Sequence, residues 1–295
     1  MPILDRKGGT YDMDLCNISD IKALLGRHGF HFSKSMGQNF LIASWVPEDM
    51  VAGAGVTREN GVLEIGPGIG PLTVRLSGAA AKVVAVELDR ALLPVLAETL
   101  AGRDNVQVVP GDILKLDLAA LVEREFSGLV PMACANLPYN ITTPVLTALI
   151  DSGLFSAITV MIQREVAARI CAAPGTSDYG SFSVYCQYHT LPELLFDVPP
   201  ECFVPAPKVT SSVIRLTPRP APPVEVDQKR FFQVVKAAFG QRRKTLLNAL
   251  SAGLRDCGDK ERLRAAVAAC GLPPDVRGER LGIPEFAALT RALYS

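Results

Sequence analysis

The sequence predicts an α/β protein with a mostly parallel sheet and helices on both faces, plus a smaller all-helical C-terminal domain. Between residues 61 and 170, short apolar segments alternate with amphipathic ones, which is typical of β-α-β units. Residues 217–223 (TPRPAPP) interrupt this pattern, since proline removes a donor from the strand ladder. Beyond them the hydrophobic spacing is helical to the last residues.

The predicted elements follow in a regular order. Helices are predicted at 18–28, 46–54, 71–76, 91–101 and 165–170. Strands are predicted at 61–65, 82–87, 106–109, 129–135, 157–162, 182–188, 191–198 and 209–216. We place a first domain at 1–217, with an N-terminal extension at 1–17, then a proline-rich linker at 218–227 and a helical domain at 228–295.

Composition narrows the class of protein. The 295 residues are 48% hydrophobic, enough for a sizeable core, and no apolar run reaches the roughly 18 residues that span a membrane. Residues 1–9 lack the apolar segment of a secretory signal. Seven scattered cysteines without C-x-x-C, together with three histidines, argue against a zinc site or a disulfide framework. We therefore expect a cytoplasmic protein without a metal or a membrane attachment.

Charge is unevenly divided along the chain, although the net charge is zero. Residues 228–295 hold 13 Lys and Arg against 6 Asp and Glu, a balance of +7, while residues 1–227 hold 17 against 24, a balance of −7. A basic module on an acidic body indicates a polyanionic partner. Arg-rich helices can also be basic only because they are well solvated, so charge alone leaves both interpretations open.

The segment 136–139 (NLPY) follows a predicted buried strand and precedes a predicted helix start. In an open α/β sheet, the carboxyl end of a strand is where ligands bind. The side-chain oxygen of Asn136 and the carbonyl of Leu137 can accept the two N–H groups of an exocyclic amine on a base, while Tyr139 can stack on its ring. A plain strand-to-helix turn is the alternative, because Asn and Pro favour turns.

A glycine loop is the second chemical signal. Gly66, Gly68 and Gly70 lie between a predicted strand and a predicted helix, where glycine lets the backbone approach a ligand closely. Nicotinamide dehydrogenases place a similar loop here, but they prefer the spacing G-x-G-x-x-G, which cradles a pyrophosphate. The spacing in this chain is G-x-G-x-G, so the glycines alone are weak evidence for either ligand.

Acidic residues stand at three successive strand ends. Glu64 precedes the glycine loop, Glu87 can accept both hydroxyls of a ribose, and Asp112 can accept the exocyclic amine of an adenine. Asp112 follows a glycine and could be only a turn residue. Three carboxylates would repel a pyrophosphate, whereas S-adenosylmethionine, with its ribose, adenine and cationic tail, fits the set.

These motifs resemble the KsgA/RsmA family, the ribosomal RNA small-subunit adenine dimethyltransferases, from about residue 20 to the C-terminus. The segments that carry the resemblance are 34–41 (KSMGQNFL), 64–68 (EIGPG), 87–89 (ELD), 111–112 (GD), 136–141 (NLPYNI), 163–166 (QREV), 179–180 (YG), 198–200 (VPP), 203–209 (FVPAPKV) and 239–245 (FGQRRKT). The resemblance implies a Rossmann-like class I methyltransferase fold. It also implies methyl transfer from S-adenosylmethionine to N6 of two adjacent adenosines in the 3′-terminal hairpin of 16S rRNA, during 30S subunit biogenesis.

The resemblance assigns roles to individual residues. The cofactor pocket would contain Asn39, Leu41, Gly66, Gly68, Glu87, Asp112 and Asn136. The catalytic set would be Asn136, Leu137, Pro138 and Tyr139, with Phe203 as a second aromatic wall for the flipped adenine; RNA binding would fall to Arg242, Arg243 and Lys244. Phe203 could instead be a core aromatic beside a proline-rich turn. The implied partner is rRNA in the (pre-)30S particle, and we expect a monomer.

Two other functions remain open at this point. A related methyltransferase acting on large-subunit rRNA would share the segment 38–40 (QNF) and Asn136, although the segment 203–209 and the cluster at Arg242 favour the small-subunit enzyme. The other function is non-catalytic: an assembly factor that binds immature small subunits, with methylation only as a release step. A dehydrogenase is more distant than either.

Overall fold

The computed structural model describes residues 2–4, 10–12, 14–30, 39–254, 257 and 259–294. Its helices are α1 (Ile18–Arg27), α2 (Trp45–Ala54), α3 (Pro71–Ala79), α4 (Leu93–Thr99), α5 (Leu118–Glu125), α6 (Thr142–Ser152), α7 (Arg164–Cys171), α8 (Ser181–His189), α9 (Gln228–Phe239), α10 (Leu246–Gly253), α11 (Lys260–Ala269) and α12 (Ile283–Tyr294). Its strands are β1 (Pro2–Leu4), β2 (Thr10–Asp12), β3 (Phe40–Leu41), β4 (Asn60–Ile65), β5 (Lys82–Glu87), β6 (Val106–Pro110), β7 (Val130–Asn136), β8 (Ile158–Gln163), β9 (Thr190–Val198), β10 (Phe203–Val204) and β11 (Ser211–Pro218). Residues 34–38 of the predicted KSMGQNFL motif lie outside the described residues.

A seven-stranded sheet in the order β6-β5-β4-β7-β8-β11-β9 forms the centre of the fold. Strands β4 to β8 pair in parallel, and β11 pairs with β8 in antiparallel orientation. The predicted mostly parallel sheet is confirmed. The strand order runs outward in both directions from β4 and β7, and in such sheets ligands bind at the carboxyl ends of the strands, where the order reverses.

Burial explains why the inner strands form where they do. Strand β4 is buried along its whole length, as expected for a parallel strand that is covered on both faces. Met50 of α2 and Leu76 of α3 pack in one apolar cluster with Val62, Val83 and Met132 from three neighbouring strands. Removing these groups from water stabilises the sheet and holds its carboxyl edge in place.

Packing divides the chain into two compact units. The first unit contains the described residues up to 164 and those at 193–218; the second contains 165–192 and the described residues from 219 onward. The sequence pattern predicts 165–192 as part of the domain 1–217. The structure assigns this segment to the second unit because Tyr179 and Tyr188 share an apolar core with Phe231 and Phe286.

The strand predicted at 182–188 is wrong, because these residues form helix α8. Apolar and polar residues alternate in this segment, which is the pattern of a half-buried strand. The buried side chains, however, form the pairs Ser183 and Cys186 and Val184 and Tyr188, which are three and four residues apart, as neighbours on a helix are. The Gly180 N–H also donates a hydrogen bond to Ser183 Oγ (3.0 Å), which satisfies a backbone donor at the helix start. Beyond the linker, the described elements are helices as predicted, and none of the described helices is long and apolar enough to cross a membrane.

Candidate active site

A cavity opens at the carboxyl ends of β4, β5, β6 and β7. Its wall also includes residues of β3 and β10. It is lined by every described residue predicted for the cofactor or the target base: Asn39, Leu41, Gly66, Gly68, Glu87, Asp112, Asn136, Leu137, Pro138, Tyr139 and Phe203. These residues are far apart in sequence, and they converge because parallel strands present their carboxyl ends at one edge.

The loop after β4 requires glycine at two positions that face the cavity. Gly66 and Gly68 have φ angles of 68° and 63°, in the left-handed region that costs other residues conformational energy. A Cβ on Gly68 would also lie 3.4 Å from the ring of Phe40. The Gly66 N–H donates to the Val86 carbonyl (2.9 Å), which fixes the loop against β5. The backbone is therefore held where a ligand can approach it.

Glu87, at the end of β5, joins that strand to the glycine loop. Its Oε2 accepts a hydrogen bond from the Gly68 N–H (3.2 Å), and its Oε1 accepts one from the Asp89 N–H (2.8 Å). The residue is only 6% exposed, and burial raises its pKa, while these backbone donors oppose the shift. Each carboxylate oxygen has a second lone pair, so the group can still accept hydroxyl donors from the cavity.

Asp112 follows β6 and makes local contacts in the turn. Its Oδ1 accepts a hydrogen bond from the Leu114 N–H (3.1 Å), and its Oδ2 lies 3.4 Å from the Lys115 ammonium. These two contacts support the alternative interpretation, in which Asp112 is a turn residue. Because Asp112 also lines the cavity, the turn holds its carboxylate at the wall.

The NLPY segment is tied to the sheet at several points. The Leu137 N–H donates to the Met161 carbonyl of β8 (3.1 Å), which places Asn136 at the rim of the cavity. The Tyr139 hydroxyl lies 2.7 Å from Ser211 Oγ, at the start of β11. The aromatic ring is thereby held from its far end, and both flanks of the segment are anchored.

Phe203 has two environments. It pairs with Leu41 across the short antiparallel ladder of β10 and β3, and it is 3% exposed within a core cluster. It also lines the cavity. Phe203 is therefore both a core aromatic and a residue of the cavity wall.

Glu64 is a cavity residue to which the sequence analysis gave no individual role. It is 1% exposed, and its Oε2 is buried without a hydrogen-bond partner among the described residues. Burial raises the pKa of Glu64 to about 8, and the nearby Glu87 adds to the shift. A buried carboxyl group with one unpartnered oxygen, at the wall of a cavity, is suited to a cationic or hydrogen-bonding ligand.

Leu88 and Ile113 are among the apolar wall residues that the sequence analysis missed. They directly follow the acidic residues Glu87 and Asp112, and both line the cavity. Leu88 is 54% exposed and contributes apolar surface to the cavity. The signal that could have identified them is an apolar residue immediately after an acidic strand end.

The raised pKa of Glu64 predicts a pH-dependent stability. The folded protein favours the neutral carboxyl group, so this residue lowers the free energy of unfolding as pH rises from 4.5 to about 8. Relative to the wild type, Glu64→Gln should therefore melt at a higher temperature at pH 8.5, and this advantage should shrink at pH 5. Thermal melts of the ligand-free protein at both pH values measure the difference.

The control is Glu59→Gln, which alters an exposed carboxyl group just before the same strand. It should give nearly the same difference in melting temperature at both pH values. An advantage of Glu64→Gln that is equal at pH 5 and pH 8.5 would contradict a raised pKa.

The three cations predicted to bind RNA belong to the second compact unit. Arg242, Arg243 and Lys244 are exposed in the turn between α9 and α10. The guanidinium of Arg242 donates to the Ser177 carbonyl, and its Nε lies 3.8 Å from a carboxylate oxygen of Glu279. Arg242 therefore holds the turn in place as well as contributing charge.

Comparison with known families agrees with this geometry. Residues 29–264 match the family described as "Ribosomal RNA adenine dimethylase". The chain belongs to this family. Curated relatives include "Ribosomal RNA small subunit methyltransferase A" of Geobacillus thermodenitrificans, 48% identical over 95% of this chain and 97% of the relative. The protein of the same name from Alkaliphilus metalliredigens is 47% identical over 92% of this chain and 96% of the relative.

Solved structures share the fold of this dimethylase family. A dimethyladenosine transferase from Plasmodium falciparum superimposes with a TM-score of 0.68 at 23% identity, over 84% of this chain and 95% of that chain. The 23S rRNA methyltransferase ErmE superimposes with a TM-score of 0.66 at 25% identity, over 87% of this chain and 100% of that chain. The first of these likenesses shows the fold alone.

Proposed function

We propose that this chain transfers methyl groups from S-adenosylmethionine to N6 of two adjacent adenosines in the 3′-terminal hairpin of 16S rRNA, giving N6,N6-dimethyladenosines during 30S subunit biogenesis. The observation that carries the proposal is the position of the NLPY segment, which lines the same cavity as the glycine loop and Glu87. A base amine bound at Asn136 would therefore meet a cofactor bound at the glycine loop. Family membership and the names of the relatives give the same reaction class.

The residues of the cavity fit this cofactor. A Cβ on Gly68 would press on the ring of Phe40, so glycine keeps this part of the wall open, and the buried carboxyl group of Glu64 in the same wall suits a ligand that carries positive charge. In the proposed arrangement, Gly66 and Gly68 adjoin the methionine portion, Glu87 accepts the ribose hydroxyls and Asp112 accepts the adenine amine. Asn39 and Leu41 complete the pocket. The cofactor supplies a methyl group on a sulfonium, which is a good leaving group.

The chain's own residues would activate and position the base. An adenine amine is a poor nucleophile because its lone pair is delocalised into the ring. When Asn136 Oδ1 and the Leu137 carbonyl accept its two N–H groups, the nitrogen moves towards tetrahedral geometry and its lone pair becomes available. Tyr139 and Phe203 hold the flipped base from its two faces. Alignment of the reacting atoms is then the main contribution of the protein, and such contributions can be large.

Proton transfer needs little from the protein. An Asn136 amide cannot act as a base at neutral pH, but the amine proton becomes acidic once the nitrogen has accepted a methyl group, so solvent water can accept it. The second transfer requires a pocket that tolerates the first methyl group and lets the amine rotate. The target base must also leave its stack, which costs a few kcal/mol and less in a loop.

The proposed partner is rRNA within the (pre-)30S particle, bound by the protein as a monomer in the cytoplasm. Exposed cations in the second unit offer phosphate contacts, which position the substrate without reading its bases. Specificity would then come from RNA shape and from looped-out bases. Sedimentation of the protein alone and with immature small subunits would test both the monomer and the partner.

Removal of the cations at 242 and 243 should weaken RNA binding. Arg242→Ala combined with Arg243→Ala should lower RNA affinity, and the slope of log affinity against log salt should flatten by about 0.7–0.9 for each lost phosphate contact. Filter binding over a series of salt concentrations measures both quantities. Arg242→Ala alone should also lower the melting temperature, because Arg242 holds Ser177 and Glu279.

Cofactor affinity should stay at the wild-type value in these variants. Arg75→Ala, which removes an exposed cation of α3, is a control for the loss of one charge. A salt slope that does not change in the double variant would refute the role in RNA binding.

Two alternatives are less well supported. ErmE, a 23S rRNA methyltransferase, is 25% identical to this chain, whereas relatives named as small-subunit methyltransferases reach 48% identity. The higher identity favours a small-subunit target over a large-subunit one. A purely non-catalytic assembly factor would not need the acceptor pair at Asn136 and Leu137 beside a cofactor cavity. Binding to immature subunits and methylation can also coexist in one protein.

The deciding experiment is a methylation assay with labelled S-adenosylmethionine and small subunits from cells that lack the modification. Nucleoside analysis should find dimethyladenosine at two adjacent positions of the 3′-terminal hairpin. Transfer to large-subunit RNA instead would be consistent with the proposed role of Asn136, but it would show that the proposed RNA substrate is wrong. No transfer to either RNA would refute the proposed reaction.

A further inference from the structure

Two exposed cations of the first compact unit, Arg164 and Lys208, lie at the sheet edge that carries the candidate active site. Strands β7 and β8 are parallel, with Asn136 opposite Met161, and Arg164 directly follows the end of β8. Strand β11 begins with Ser211 opposite Gln163, so the chain that leads into it arrives at the same edge. Lys208 is three residues before that start, and both cations are exposed.

Hydrogen bonds join these segments to the residues that would hold the target base. The Arg164 N–H donates to the Thr210 carbonyl (3.0 Å), which links the end of β8 to the segment that carries Lys208. The next residue, Ser211, contacts the Tyr139 hydroxyl (2.7 Å). The backbones of both cations are therefore held in a defined position relative to the NLPY segment.

The surroundings of the two cations favour an anion from outside the protein. Among the residues that the structure describes, neither Arg164 nor Lys208 has an ion-pair partner; the adjacent Glu165 pairs with Arg169 (3.0 Å). Arg164 is also the first residue of α7, where the helix dipole disfavours a cation. A cation at this position therefore destabilises the helix slightly, and none of the carboxylates that the structure describes forms an ion pair with it.

We propose that Arg164 and Lys208 form a phosphate clamp at the edge of the cavity, which binds the RNA backbone beside the flipped adenosine. The clamp rests on the proposed function and adds to it a contact made by the unit that carries the active site. A base that leaves its stack brings its flanking phosphates to the rim of the pocket. Two cations there would fix the position of the target nucleotide, because phosphate contacts set register without reading sequence.

The test compares Arg164→Ala combined with Lys208→Ala against the wild type, on small subunits that lack the modification. The double variant should raise KM by about tenfold or more, and the slope of log RNA affinity against log salt should flatten by about 1.4–1.8 for two lost contacts. Cofactor affinity should stay at the wild-type value, and the melting temperature should not fall, because the cation of Arg164 is unfavourable at the start of α7. Arg164→Lys combined with Lys208→Arg, which keeps both charges, should retain most of the affinity.

A matched control removes a cation from the opposite edge of the same sheet. Arg124 is 61% exposed and contacts Glu125, which pairs with Lys82 at the first residue of β5. Arg124→Ala should leave KM and the salt slope unchanged. If the double variant does not fold, Lys208→Ala alone should give about half of the slope change.

The two hypotheses fail in different ways. A double variant that is folded and has the wild-type KM and salt slope would overturn the clamp. A wild-type protein that transfers no methyl group to small subunits would refute the proposed function instead. The salt slope is read from binding, so it tests the clamp whichever result the methylation assay gives.

Discussion

Replacement of Asn136 by alanine should reduce methyl transfer by at least about 10²–10³-fold, the range seen when a preorganised polar group at a reacting centre is removed. The variant loses the oxygen that would accept one N–H of the adenine amine, so the lone pair of that amine stays delocalised into the ring. Because Glu87 and the glycine loop are unchanged, cofactor affinity should fall far less than the rate. Strand β7 should also remain intact, since its ladder uses backbone groups.

Single-turnover methylation and calorimetric titration of the cofactor measure these two effects separately. Asn248→Ala, on an exposed position of α10, is the control for loss of an amide and should leave the rate unchanged. Binding to immature small subunits should persist in Asn136→Ala, which would separate methylation from a role in assembly. A variant that methylates at the wild-type rate would remove Asn136 from the mechanism.

Glu87→Gln should weaken cofactor binding by about 100-fold or more, because hydrogen bonds to a charged acceptor contribute about 1.5–3 kcal/mol each. The carboxylate would accept two ribose hydroxyls in the proposed arrangement. It also accepts the backbone N–H groups of Gly68 and Asp89. A glutamine turns one of its acceptors into a donor, so it would oppose one of these N–H groups and loosen the glycine loop.

Calorimetric titration with S-adenosylmethionine or its demethylated product measures the loss in affinity. Glu123→Gln, at an exposed position of α5, is the control and should bind as the wild type does. RNA affinity should be unaffected in Glu87→Gln, because the cations proposed to bind RNA are unchanged. Cofactor affinity within twofold of the wild type would contradict a role for Glu87 in the pocket.

Much of the fold could be predicted because parallel strands that are buried on both faces appear as short continuous apolar runs. The runs that became β4, β5, β7 and β8 are of this kind, and each ends at a glycine or a polar residue. Strand order could not be predicted in the same way. The antiparallel pairing of β11 with β8 depends on contacts between segments about 50 residues apart, which leave no local periodicity.

The segment 165–192 shows where local patterns fail. Its alternation of apolar and polar residues favoured a strand at 182–188, yet burial against Phe231 selected a helix. Tertiary packing overrides a weak local preference because burying large aromatic side chains contributes more free energy than the preference does. The same packing moved the segment into the second compact unit.

The sequence by itself determined which chemical groups stand at the strand ends, among them Gly68, Glu87 and Asn136, because local periodicity marks where each strand stops. Only the tertiary structure decided what surrounds those groups. The burial that raises the pKa of Glu64, the contact of Tyr139 with Ser211 and the attachment of Arg242 to Ser177 all depend on distant parts of the chain. Such contacts form when the sheet and helices pack, and no local pattern encodes them.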